Sequence, residues 1–160
     1  MADETNQDGK LFVCATAQNS DLAQLGFEAL TWVEVGRIVT FPEIGISTNY
    51  VSQDYVNTAI SQCQKGVRSG NETEILCGKD NNDAGQDALI AAGLTKNNFA
   101  FKREFTDSPN TATTTNSIVY FRALVGEPIY AGGGVEDFEN VTFSLQINGQ
   151  RPIFVKPEAI

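Results

Sequence analysis

The sequence contains no histidine, only three cysteines and one tryptophan, and no apolar run of the roughly 18 residues that a membrane helix requires. Without imidazole the chain lacks the commonest general base, the usual serine-triad partner and the usual metal ligand together, which disfavours most hydrolase and metal-dependent chemistry. Cys14, Cys63 and Cys77 are odd in number and form no C-x-x-C pair, so neither a disulfide framework nor a zinc site is expected, and the thiols are expected to be free and mostly buried. Basic residues are scarce too. Eleven Lys and Arg stand against twenty Asp and Glu, a net charge of −9, which argues against tight nucleic-acid binding because that depends on neutralising phosphates. The start, MADETNQDGK, is polar and acidic where a secretion signal would be basic and then apolar, so neither signal peptide nor membrane span is expected. The two sequon-like triplets at Asn71 and Asn140 accordingly carry no weight.

The motifs present are equally sparing of chemistry. There is no G-x-S-x-G elbow. Gly132-Gly133-Gly134 lacks the Lys-Ser/Thr pair of a phosphate loop and reads as a flexible connection. DNNDAG, 80–85, has the outline of a calcium loop, but Ala84 and Ala91 fall where ligands are required, so it reads as a helix start. The scattered acids Glu34, Glu104 and Glu136-Asp137 read as solvated faces, and Trp32 as core. No catalytic residue, metal or cofactor is expected.

What the chain does have is β structure. At 160 residues it fits one domain, 1–160. Strand signals lie at 11–16, at 30–41 (one strand, or two broken at Gly36), at 72–79, at 98–105, where Phe99, Phe101 and Phe105 alternate, and at 116–126, apolar on nearly both faces. ENVTFSLQINGQ alternates Val141, Phe143, Leu145 and Ile147 with polar residues; Asn148-Gly149 then suggests a type I′ turn, with Ile153–Val155 as the return strand of a hairpin. One convincing helix lies within 80–94, capped by Asp83, with Gln86 completing a capping box and Gly93 as a left-handed stop; a possible short helix lies near 19–28. Residues 1–10 read as a mobile arm. Residues 46–71 are anomalous, polar but hardly charged and too poor in apolar residues for a core strand; they read as a long loop or extended hairpin that orders against a partner. The fold class is mainly β, a sandwich or partly open barrel with one packed helix.

Residues 30–155 resemble the tail tube proteins of long-tailed bacteriophages. The likeness rests on order and spacing: Trp32, Val35, Ile38 and Val39, then Ile44-Gly45 and the long polar segment; strand 72–79; Asp83-Ala84-Gly85-Gln86 leading to Leu89; strand 118–125; Glu136-Asp137; and ENVTFSLQINGQ. The resemblance implies a non-enzymatic virion protein that closes six copies into a ring through a head-to-tail interface and stacks rings into a hollow tube, the conduit for double-stranded DNA. It also implies a tape measure protein, a tail terminator and distal tail or baseplate proteins as partners, assembly in the bacterial host, and no specific DNA binding. An acid-rich lumen, faced by the polar side of the last strands, would let DNA slide. Tyr50, Tyr55, Lys65 and Arg68 in the 46–71 segment are the expected inter-subunit contacts, since aromatic and arginine side chains dominate interface energetics. Two other readings stay open: a related ring protein (tail terminator, baseplate hub or secretion-system tube subunit), or a carbohydrate-binding β-sandwich using Trp32 and the tyrosines.

Overall fold

The computed structural model describes residue 5, residues 7–110 and residues 112–160. Residues 1–4 and 6 of the expected arm 1–10 lie outside the described residues, and Lys10 already opens the first strand. The elements are β1 (Lys10–Ala17), α1 (Gln24–Glu28), β2 (Val33–Val35), β3 (Ile38–Thr40), β4 (Ile46–Gln53), β5 (Gln62–Gly70), β6 (Glu72–Gly78), α2 (Ala84–Gly93), β7 (Asn98–Glu104), β8 (Ile118–Val125), β9 (Ile129–Tyr130), β10 (Asn140–Ile147) and β11 (Ile153–Val155).

Among the described residues nine strands form one antiparallel sheet in the order β2-β1-β7-β8-β10-β6-β3, with β11 added to β8 and β9 to β10, and β4 and β5 pair only with each other. The sheet folds into two layers at a joint. β8 and β10 are paired only where Ala123–Val125 meets Leu145–Ile147. Beyond that they splay, and each fork arm takes a separate short strand. β2 and β3 are consecutive in the chain yet sit at opposite ends of the strand order. Between them the backbone turns at Gly36 and Arg37, the latter at φ 55. One short segment therefore edges both layers without closing a barrel.

The core follows from alternation. Val141, Phe143, Leu145 and Ile147 are buried, and Thr142, Ser144 and Gln146 between them are half-buried on the other face. Burying those four contributes on the order of 6–10 kcal/mol, an upper bound. Leu11, Val13, Ile75, Phe99, Phe101 and Phe121 complete the space between the layers, where the Phe101 and Phe121 rings stack at 5.2 Å. A second cluster of Cys14, Phe27, Ala100 and Tyr120 lies on the opposite face of the β1-β7-β8 layer, with Trp32 packed against it.

Three local expectations are corrected. The chain does not end in a hairpin: β11 pairs with β8, and only Gly149 (φ 92) of the Asn148-Gly149 pair is left-handed. The reason is Arg122, whose guanidinium occupies the place a Gly149 side chain would need, 2.3 Å from an ideal Cβ, so residues 148–152 wrap round it and cross to β8. Asp83 does cap α2, accepting from Gly85 N, but Gln86 forms no capping box; its amide is buried, donating to Gly78 O (2.8 Å) and Gly36 O (3.3 Å) and accepting from Asp80 N (3.1 Å). Gly93 is not a left-handed stop. It is needed because a Cβ there would lie 2.7 Å from Gly126 O. The thiols are free and mostly buried, as expected: Cys14 and Cys77 are buried and Cys63 is exposed.

Candidate assembly surface

Of the two alternatives for the segment 46–71, loop or extended hairpin, the structure shows the hairpin: its strands β4 and β5 pair from Ile46 opposite Gly70 to Gln53 opposite Gln62. Its base is anchored firmly. Gln146 Nε2 donates to Gly70 O (2.7 Å) and Ile147 N to Asn71 O (3.2 Å), while Asn71 bonds Gly45 and Glu43. Gly70 approaches Ile147 so closely that a Cβ would lie 1.9 Å from its carbonyl oxygen, which only glycine permits. Beyond the base no described residue covers it, and every residue from 49 to 65 is exposed. An isolated two-stranded ribbon is marginal in water, so one that carries exposed Val51, Val56 (109% exposed), Ile60 and Val67 is suited to being covered.

All four sequence-expected contact residues lie on this hairpin. Thr48 faces Arg68 and Tyr50 faces Lys65, with a bulge between that sets Gly66 and Val67 against Asn49. Directly opposed residues point to one side, so Tyr50, Lys65 and Arg68 share a face of the ribbon. Tyr55 stands apart, in the tip turn, where Thr58 N donates to its carbonyl (3.2 Å). The two tyrosines are 70% and 49% exposed.

Two residue groups were not identified from sequence. Arg151, from the β10–β11 connection, joins Lys65 and Arg68 in lining a groove of about 400 Å³ at the hairpin base; only the unforeseen path of that connection brings it there. Second, Ile129, Tyr130, Val135 and Phe138 are exposed together along β9 and the glycine-rich connection that follows it, a stretch whose composition suggested only flexibility. This connection is structured: Asp137 N bonds Gly134 O (3.2 Å) and its carboxylate accepts from Gly134 N (2.7 Å), closing a turn that leaves Val135 and Phe138 in solvent. Glu43, Glu72 and Glu74, with Ser144 from the polar face of β10, line a separate groove of about 460 Å³.

Among the described residues no three Cys, Asp or Glu side chains gather as metal ligands, and no helix is long and apolar enough to cross a membrane. Trp32 is half-buried and packs near Tyr120 (6.0 Å between centroids), with its indole N–H donating to Phe27 O (3.2 Å). Arg103 lies between the Phe41 and Phe105 rings at 4.6 and 4.4 Å, so the aromatic-basic run at 98–105 is packing rather than a nucleic-acid platform.

No protein-family model and no curated protein matches the sequence. Solved structures do match the fold. The chain is similar to the SPP1 tail tube subunit, with a TM-score of 0.64 and 19% identity over 96% of this chain and 81% of that one. It is also similar to a chain of the anti-feeding prophage baseplate, with a TM-score of 0.68 and 6% identity over 98% and 97%. A type six secretion system protein overlaps 94% of this chain at a TM-score of 0.44 and 13% identity. The chain thus carries a tail-tube-like fold, the one found in the SPP1 tail tube and in the anti-feeding prophage baseplate.

Proposed function

We propose that this chain is a structural virion protein that polymerises, as stacked hexameric rings, into the tail tube of a long-tailed bacteriophage. The observation that carries the reading is the hairpin β4–β5, rigidly rooted in a tail-tube-like fold yet exposed throughout its outer length. Such a ribbon gains stability only when another surface covers it, and the nearest candidate is a sister copy. The outer edges of β9 and β11 are short ladders that neighbouring copies would complete, removing the hazard of open strand edges. The polar side of β10, with Glu72 and Glu74 beside it, is the wall turned to the lumen; there carboxylates repel the DNA backbone, so DNA passes without being held. In this reading the protein has no catalytic role and no cofactor. Its partners are further copies of itself, a tape measure protein, a tail terminator and distal tail or baseplate proteins, and its place is the phage tail.

Electron microscopy of the purified chain tests this reading. Long filaments of constant width with a central channel are expected, and deletion of residues 50–68 is expected to leave a folded monomer that forms none. Tubes of normal appearance from the deletion variant would overturn the role of the hairpin. The overlap with the anti-feeding prophage baseplate favours one second reading, a ring protein of a baseplate. That protein would stop at single rings.

A further inference from the structure

The hairpin and the exposed apolar stretch 129–139 stand at opposite ends of the same strand. The hairpin base is bonded to Gln146 and Ile147, at the carboxyl end of β10. The apolar stretch is bonded to its amino end: Tyr130 pairs with Val141, Ala131 N donates to Asn140 O (3.0 Å) and Lys79 N to Glu139 O (2.9 Å). Six residues of antiparallel strand separate these ends by about 20 Å. The two surfaces also differ in charge. Residues 46–70 carry two cations, Lys65 and Arg68, against one acid, Asp54, in a chain whose net charge is −9. Residues 127–139 carry Glu127, Glu136, Asp137 and Glu139 and no base. Both are amphipathic, with exposed apolar side chains set among the charges.

We propose that the stretch 129–139 of one copy is the docking site for the hairpin of the next, a contact that rests on the self-assembly reading above and names its receiving surface. Val135 (105% exposed) and Phe138 (84% exposed) are covered by the apolar side chains of the hairpin, and the Glu136 and Glu139 carboxylates meet Lys65 and Arg68. Donor and receiver are different surfaces at opposite ends of β10, so the contact can run head to tail. In that arrangement each copy that docks its hairpin leaves its own receiving stretch free, and the interface propagates instead of saturating in a pair.

Charge reversal tests the pairing. Wild type, Lys65→Glu/Arg68→Glu, Glu136→Lys/Glu139→Lys and the four-fold combination are compared by sedimentation and electron microscopy, with circular dichroism confirming that each is folded. Each double reversal is expected to raise the concentration needed for assembly at least tenfold, and the combination to restore tubes. In parallel, Glu136→Cys is oxidised in the assembled state, where the native Cys63, on the same hairpin face as Lys65, is expected to form a ladder of disulfide-linked multimers. Folded variants in which the combination fails to rescue, or oxidised assemblies that run as monomer, overturn the docking site while wild-type tubes leave the self-assembly reading standing. A wild-type chain that never assembles overturns both.

Discussion

Arg122 is the one charged side chain among the fully buried large residues described, and its surroundings explain how a cation survives there. Its guanidinium donates to the Asp21 carboxylate, to Gln150 Oε1 (3.0 Å) and to Gln18 O (3.1 Å), while Gln150 in turn bonds the backbone of Leu22 on both sides. Three distant segments, 18–22, β8 and the β10–β11 connection, are thereby tied at one point. The pair is asymmetric, since the Arg122 side chain is 2% exposed and the Asp21 side chain 73%. Loss of the acid leaves a buried cation short of its counter-charge, whereas loss of the arginine leaves an acid that water can solvate. Asp21→Ala is therefore expected to destabilise the monomer by about 2 kcal/mol, and Asp21→Asn by less because its amide oxygen still accepts. Urea unfolding should show a lower midpoint at unchanged slope. From sequence, 116–126 is legible as a central strand because its neighbours are apolar. The partner of its single cation is not, since Asp21 and Gln150 are brought to it only by tertiary folding, and the expected terminal hairpin failed for the same reason.

Elements with one buried face were legible, and elements without one were not. β10 and β6 show their alternation because a core lies on one side, and Asp83 announces α2 because its carboxylate bonds the first-turn amide at Gly85. The hairpin β4–β5 has water on both sides over most of its length, so no period marks it. Its composition revealed that it does not belong to the core but left loop and extended hairpin both open, because nothing in it marks which residues pair. The cysteines offer a direct probe of this element. Cys63 is exposed on β5, whereas Cys14 and Cys77 are buried, and burial together with the nearby Asp83 charge pushes the Cys77 thiol up to about 12. At pH 8 the thiolate fraction of Cys77 is then only about one part in ten thousand, and thiolate is the reacting form. One equivalent of maleimide per native monomer is expected, at Cys63, rising to three when the chain is unfolded. Mass spectrometry of the labelled chain checks this, and a native monomer labelled at Cys77 would mean that β6 opens readily.

At the scale of the whole molecule, the net charge of −9 opposes any gathering of copies, while the proposed contact between hairpin and receiving stretch joins opposite charges at short range. Salt separates the two effects because they act over different distances. At 0.01 M ionic strength the screening length is about 30 Å, comparable with the span of one copy, so repulsion between whole molecules is felt before any docking contact forms. Near 0.15 M it falls to about 8 Å, which removes most of that repulsion and leaves ion pairs at contact distance largely intact. Close to 1 M, at about 3 Å, the ion pairs weaken as well and only the apolar part of the contact persists. Assembly followed by light scattering at fixed protein concentration is therefore expected to be slow in dilute salt, fastest near 0.15 M and slower again toward 1 M. With Lys65→Gln/Arg68→Gln the first rise should remain, since the net charge is still strongly negative, and the decline at high salt should vanish along with the pairs that cause it. Assembly that instead weakens steadily from the lowest salt upward would mean that attraction between opposite charges governs even the approach of copies, and that the acid excess faces surfaces which never meet.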